Sequence, residues 1–430
     1  MRTLIPSETA LVLGGGGAKG SYEVGAIAAL RELGIEAGSV YGVSIGALNA
    51  AMYAQGDMEK AEALWSGIRL SDLLGPESLA LADDAEAIYD HPEKVLEFIT
   101  RNVQSRGMDV TPLRNLLETV IDEGAVRRSP VRLALLTTRF PSLNMVEKRV
   151  EDMEDGSLHD WLMASSACYP AFPMVSIGGE RYVDGGFCDN APVEMAVRDG
   201  ARHIIALDIG RNPSHTQYRT RPNITYIRTS QPLGGLLTFN PEQSARNRII
   251  GYNDVMRAFG HMRGTRYAFD PLDAQSLYTR AQDFVIRLTQ VETGLQSANA
   301  ITRRDKAAPL FGLLEEGLCA APDAIDYFLR ACELCAEIAE VNPAQVLTFA
   351  ALTDELRARL PLEKAESMLG GLLGGRIGVL FSAPQPDRKL IIACLCQLLQ
   401  RESAFSSLAM HTLSAFPREL LCAITLREIL

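Results

Sequence analysis

Through the first two-thirds of the chain, short apolar runs alternate with amphipathic stretches; after that only amphipathic stretches remain. Glu8–Leu13 ends in four consecutive apolar residues and predicts a buried strand. Ser21–Leu33 repeats apolar residues at Val24, Ile27, Ala28 and Leu30, which predicts a helix. A short strand at Ser39–Tyr41 and a helix at Gly46–Gln55 follow, and residues 57–125 read as mainly helical with polar loops, the place for insertions that line a substrate site. Val131–Thr137, His203–Ile209 and Ile224–Thr229 read as further strands, with a hairpin at Ile177–Val183 and a helix around Met195–Val197. Strands separated by helices imply a mainly parallel sheet covered on both faces, a three-layer α/β/α arrangement.

Beyond about Asp270 the pattern predicts helix after helix. Gln282–Ser297 is amphipathic, Thr302–Lys306 is a charged break, and later helices are expected to start at Pro322-Asp323, at Asn342-Pro343 and near Pro386-Asp387. A single core rarely grows past about 250–300 residues, so 430 residues should hold two domains, assigned here as 7–270 and an all-α region at 271–430. The second carries no motif that names a chemistry.

Two glycine clusters interrupt the first domain where strands should give way to helices. Gly14–Gly17, Ala18, Lys19 and Gly20 expose backbone N–H groups at the start of a helix, a place suited to an anion or to developing negative charge. Gly15, Gly17 and Gly20 fit G-x-G-x-x-G, the dinucleotide fingerprint, with Glu36 near the expected spacing for a ribose-binding acid. A phosphate-binding Walker loop is excluded, because Lys19 is followed by Gly20 rather than Ser or Thr. The second cluster, Gly42-Val43-Ser44-Ile45-Gly46, is a G-x-S-x-G between a strand and a strong helix former run, the setting of a nucleophile elbow. Preorganised N–H donors at an oxyanion supply about 3–4 kcal/mol each in acyl transfer, so a glycine loop beside a nucleophilic serine is a coherent pair. Further on, Asp184-Gly185-Gly186 closes the hairpin with an acid at a strand end.

These elements resemble the patatin-like phospholipases in order and spacing. The resemblance covers about residues 7–270 and rests on the Gly15–Gly20 loop, the Gly42–Gly46 elbow, Ala164–Pro173, Asp184-Gly185-Gly186 and Asn190–Val193. It implies a lipid acyl hydrolase with Ser44 as nucleophile, Asp184 as general base and the N–H groups of Gly15, Gly16 and Gly17 as oxyanion hole. Lys19, Gly20, Gly42, Gly46, Gly185 and Gly186 would support the site, with no metal and no cofactor. The chain departs at Gly14, where plant members often carry Asp. An aspartate is a poor base in water and needs a partly desolvated cleft to serve. The nearest mechanistic competitor is a Ser–Asp–His triad using His203, His215 or His261; His91, His159 and His411 have no shared context. From other classes, a nucleotide-binding protein using Gly15–Gly20 and a catalytically silent lipid-binding protein stay open.

Composition narrows the partners. The net charge of −11 disfavours nucleic acid and repels an anionic membrane at long range. Eleven arginines between Arg198 and Arg266 face only Asp199, Asp208, Glu242 and Asp254. They form either a solvated surface with mixed partners or a basic face that meets lipid head groups transiently. No leader is expected at Met1–Pro6 and no run of about 18 apolar residues occurs, which reads as cytoplasmic, with non-classical export open. Eight cysteines in mostly apolar contexts read as reduced, buried thiols, Cys332-x-x-Cys335 included.

Overall fold

The computed structural model describes residues 4–79, 108–210, 215–270, 274–302, 310–315, 318, 322–372, 387–400 and 416–430. His91, His411, Cys319 and most of the Thr302–Lys306 break lie outside them. The chain divides into two compact units, Met1–Ala258 and Phe259–Leu430.

The first unit is built on one sheet. Five strands run parallel: β1 (Thr9–Leu13), β2 (Ser39–Val43), β3 (Arg132–Phe140), β7 (His203–Asp208) and β8 (Ile224–Arg228). Three more join by antiparallel pairing: β4 (Asn144–Arg149) and β6 (Glu180–Asp184) on β3, and β5 (Val175–Ile177) on β6. The mainly parallel sheet flanked by helices expected from the hydrophobic pattern is present. β1 and β2 are buried along their whole length, as strands covered on both faces must be. β4 escaped the sequence reading because Asn144–Arg149 is polar and half exposed, so its apolar alternation is weak.

The register around β3 positions the site. β2 pairs with β3 over Arg132–Leu136, and β6 pairs with it over Thr137–Phe140. β4 lies alongside both stretches, from Ala134 to Arg139. A strand has two edges, so β2 and β6 share the edge opposite β4, one taking over where the other stops. The carboxyl end of β2 and the carboxyl end of β6 therefore converge next to Leu136 and Thr137.

Helices α1 (Ser21–Glu32), α2 (Ile45–Gln55) and α3 (Met58–Gly67) follow the two glycine clusters. Asp57 caps α3 by accepting the Lys60 N–H at 3.0 Å. α1 packs on the helix Pro241–Ala258 through glycine on both sides. A Cβ on Gly25 would lie 1.9 Å from the Arg248 carbonyl oxygen, and one on Gly251 2.0 Å from that of Tyr22.

The second unit is helical apart from a two-stranded pairing of Ala268–Phe269 with Val346–Leu347. The helices Ala274–Thr302, Ala324–Ile338, Phe349–Arg359, Leu362–Leu372, Arg388–Gln400 and Pro417–Ile429 enclose a core that includes Phe284, Phe328 and Leu395. Asp323 starts the second of these with a reciprocal cap to Asp326, as its sequence signals. Asn342-Pro343 does not start a helix: the chain turns, pairs as a strand, and Thr348 caps the helix at Phe349 instead. Glu333 is fully buried, and its carboxylate accepts the N–H groups of Thr265, Arg266 and Tyr267. Cys332, Cys335, Cys394, Cys396 and Cys422 are buried and Cys168 and Cys188 half-buried, none of them in a disulfide among the described residues.

Replacing Gly25 with Ala should destabilise the first unit by about 1–3 kcal/mol, because the new methyl meets backbone that cannot swing away. Urea unfolding of the Gly25→Ala and Gly251→Ala variants checks this, with a lowered midpoint expected for each.

Candidate active site

Parallel strands present their carboxyl ends, where a following loop turns into a helix, and this end of the sheet gathers the residues singled out in the sequence. Ser44 leaves β2 with φ 55° and ψ −128° and stands at the amino end of α2. That conformation is costly for a residue with a side chain and marks a sharp strand-to-helix turn. Two bonds brace it. The Ser44 N–H donates to the Ser165 hydroxyl at 2.9 Å, and that hydroxyl donates to the Leu136 carbonyl at 2.7 Å. The tight turn needs bare backbone at Gly46, where a Cβ would sit 2.4 Å from the Leu13 carbonyl oxygen, and at Gly42, which abuts Ala47.

Asp184 ends β6 and is 3% exposed. Its N–H donates to the Ala167 carbonyl at 2.8 Å, and its Oδ1 accepts the Gly186 N–H at 2.7 Å. Oδ2 is enclosed and has no hydrogen-bond partner among the described residues. Burial pushes the carboxyl up to about 6, opposed by the Ser44 hydroxyl, the Gly186 N–H and the Cys168 thiol, which favour its charge. Ser44 and Asp184 thus face one another, as the shared edge of β3 requires. Gly185 packs against the Leu136 carbonyl and lets the chain leave β6 there.

The glycine loop follows β1. Gly15 differs from its expected role: its N–H donates to the Asn190 carbonyl at 3.0 Å, and the Asn190 amide returns a bond to the Gly15 carbonyl at 2.9 Å. Gly16 and Gly17 remain, and neither N–H has a backbone partner among the described residues. Gly17 has φ +57°, and a Cβ there would lie 2.2 Å from the Leu236 carbonyl oxygen, so no side chain fits. The Ala18 N–H donates to that same carbonyl at 2.8 Å. Lys19 is half-buried in the turn between loop and α1, and Gly20 packs against Ile45, Asn49 and Trp65.

A cavity opens beside Ser44 and Gly17. Its walls are apolar, with Leu48, Met52, Leu117, Phe172 and Phe239 among them. Such a space suits a hydrocarbon chain and excludes water from a reacting carbonyl.

Within the first unit the competing arrangements do not assemble among the described residues. Glu36 is exposed and precedes β2, at the amino ends of the strands, so it cannot meet a ribose whose pyrophosphate sits on the glycine loop. His203 begins β7 opposite Thr9, also at the amino ends. His215 bonds Asp189 at 2.7 Å, and the His159 ring faces the Ile121 carbonyl. His261 belongs to the second unit. Among the described residues no group of three His, Cys, Asp or Glu is disposed to hold a metal, and no helix is long and apolar enough to cross a membrane. Three of the arginines from Arg198 onward are held by separate partners, Glu147 for Arg198, Glu8 for Arg202 and Asp254 for Arg257.

Ser165, Asn190 and Cys168 were not singled out as site residues. All three lie in runs that carry the resemblance, and only their neighbours in space reveal what each does.

Residues 11–197 match the family model described as patatin-like phospholipase. The chain is 27% identical over 209 residues to the lysophospholipase NTE1 of Cryptococcus neoformans var. neoformans serotype D. It is 28% identical over 211 residues to the patatin-like phospholipase domain-containing protein 7 of Rattus norvegicus. Each match covers 49% of this chain but only 12% and 14% of those proteins, which are far longer. The crystal structure of VipD from Legionella pneumophila aligns over 100% of this chain and 91% of its own, at 16% identity and a TM-score of 0.38.

Truncating Ser165 to Ala removes the hydroxyl that satisfies both the Ser44 N–H and the Leu136 carbonyl. The loss should be about 1–3 kcal/mol, the usual cost of orphaned buried polar groups, read as a lower denaturant midpoint.

Proposed function

We propose that this chain, whose residues 11–197 match the patatin-like phospholipase model, is a serine acyl hydrolase that cleaves carboxylic ester bonds of phospholipids or lysophospholipids. One observation carries the reading: a half-buried serine on a strained elbow faces a buried carboxylate at the mouth of an apolar cavity. The names of the lysophospholipase and phospholipase relatives support the same substrate class.

In this reading the acyl chain enters the cavity and the ester carbonyl rests between Ser44 and the glycine loop. Ser44 Oγ attacks the carbonyl carbon while its proton passes to Asp184. The N–H groups of Gly16 and Gly17 take the oxyanion; Gly15 holds the loop to Asn190. As the tetrahedral intermediate collapses, the carbon–oxygen bond to the alcohol breaks and Asp184 returns the proton to that oxygen. Water then attacks the acyl-enzyme by the same path, giving the fatty acid and regenerating Ser44. An ordinary aspartate near 3.9 would be a weak base; one pushed up to about 6 is closer to the hydroxyl it must deprotonate.

A fluorophosphonate probe should label the wild type at Ser44 and leave Ser44→Ala unlabelled, and the wild type should release fatty acid from medium-chain esters. Asp184→Asn should lose on the order of 10³-fold or more in kcat/KM, in line with loss of a nucleophile's base. Full activity in either variant would sink the dyad.

The pH profile follows from the base. Asp184 must be ionised to accept a proton, so kcat/KM should fall about tenfold per pH unit below about 6 and be level between about 6 and 7.5. A carboxyl raised in the folded state favours folding when protonated and costs stability once pH passes its unfolded value. Asp184→Asn should therefore not lower the melting temperature at pH 7.5, which thermal unfolding checks.

A further inference from the structure

Glu23 is fully buried on α1, and the chemistry proposed above gives it no part. Its Oε2 accepts the Asn49 side-chain N–H at 2.7 Å, and the same amide nitrogen reaches the Gly20 carbonyl at 3.0 Å. The Asn49 oxygen accepts the Trp65 indole N–H at 3.0 Å. Oε1 of Glu23 has no hydrogen-bond partner among the described residues, and the Gly14 N–H, which also donates to Leu207, is the other group favouring its charge. The pair Glu23–Asn49 thus joins the two ends of the glycine loop, Gly14 and Gly20, to α2, the helix that Ser44 heads.

We propose that Glu23 is a positioning residue that must stay a neutral acid: protonated, it clamps the loop against α2, and ionised, it sets a negative charge behind the oxyanion donors. This rests on the hydrolase reading above. The charge would oppose the oxyanion in a water-poor setting, where electrostatic interactions are strong.

The surrounding groups leave the acid uncompensated. Tyr22 on α1 donates to Asp254 at 2.8 Å, and Asp254 pairs with Arg257, so those groups satisfy one another. Arg248 meets α1 with its backbone at Gly25, and Lys19 lies in the loop. α2 carries no charged residue; on α3 Trp65 reaches the network, while Glu59 is exposed and Lys60 bonds the Thr119 carbonyl. Burial then holds the Glu23 carboxyl up to about 8, with the Asn49 amide and Gly14 only partly offsetting it.

The test is the rate of fluorophosphonate labelling at Ser44 between pH 6.5 and 10. Wild type should slow by about 25-fold between pH 7.5 and 9.5, as a single ionisation near 8 requires when the ionised form does not react. Glu23→Gln, which keeps the amide contact and cannot ionise, should stay within about threefold of wild type at pH 7 and lose that alkaline decline. Glu23→Ala should be slower by tenfold or more at every pH. Glu23→Leu serves in the same comparison if the Gln variant does not fold. The carboxyl carbon of Glu23, followed by NMR in the wild type, should titrate near 8 rather than near the ordinary carboxylate range. An alkaline decline that persists unchanged in the Gln or Leu variant, or a carboxyl that titrates below 6, overturns the inference. Absence of labelling at every pH in folded wild type would instead reject the hydrolase reading itself.

Discussion

The site depends on a strand with one edge and two claimants. β3 gives the edge opposite β4 first to β2 and then to β6, and the hand-over falls between Leu136 and Thr137. Because β2 and β6 run in opposite directions, both reach that point with their carboxyl ends. Residues 140 positions apart in sequence, Ser44 and Asp184, are brought face to face by backbone pairing rather than by side-chain contacts. The join is reinforced on the same spot. The Ser165 hydroxyl bridges the Ser44 N–H to the Leu136 carbonyl, and the Thr137 hydroxyl lies between the carbonyls of Ala164 and Val183. Backbone bonds of this kind are fixed before any substrate arrives, which is what preorganisation asks.

Two buried carboxyls lie on either side of the elbow, and neither has a cation among the groups that set its charge. Asp184 has a backbone N–H, a hydroxyl and a thiol to favour its ionised form; Glu23 has only one amide and a shared backbone N–H. The same desolvation therefore leaves Asp184 near 6 and Glu23 near 8. At neutral pH the first is mostly charged and the second mostly neutral. Environments that push like groups apart in this way separate an accepting role from a holding one. Both acids cost stability above their unfolded values, so this end of the sheet is not optimised for folding alone.

Much of this was legible in the sequence, and what was not shares a cause. The glycine loop, the elbow and the acid at a strand end each have a local signature, because glycine at fixed offsets answers to backbone geometry. The parallel strands showed as apolar runs. β4 did not, since its residues are polar and half exposed, and Asn342-Pro343 misled because a proline after a capping residue also suits a turn. The engagement of the Gly15 N–H by Asn190 was beyond reach, as it depends on a residue 175 positions away in the chain folding to meet it. Glu23 sits between Tyr22 and Val24 in an otherwise apolar stretch; that polar intrusion was its single local trace.

The helix that Ser44 heads explains why a cavity can hide inside what reads as core. Five of the 11 residues of α2 are small, and these, Gly46, Ala47, Ala50, Ala51 and Ala54, are all buried. These recur on one face of the helix, and their size lets it lie close on the strands, as the near contact of Gly46 with the Leu13 carbonyl shows. The opposite face carries Ile45, Leu48, Asn49 and Met52, and these line the cavity. Polarity does not distinguish the two faces, so hydrophobic periodicity finds only a buried helix. Side-chain volume does distinguish them. A helix of small residues on one side and long ones on the other is drawn onto the sheet where its side chains are short. On the other side, long side chains facing the residues of Thr111–Val120 and Phe239 leave space between them rather than filling it. The position of Ser44 and the apolar cavity beside it are then two consequences of one periodicity, written in volume rather than in hydrophobicity.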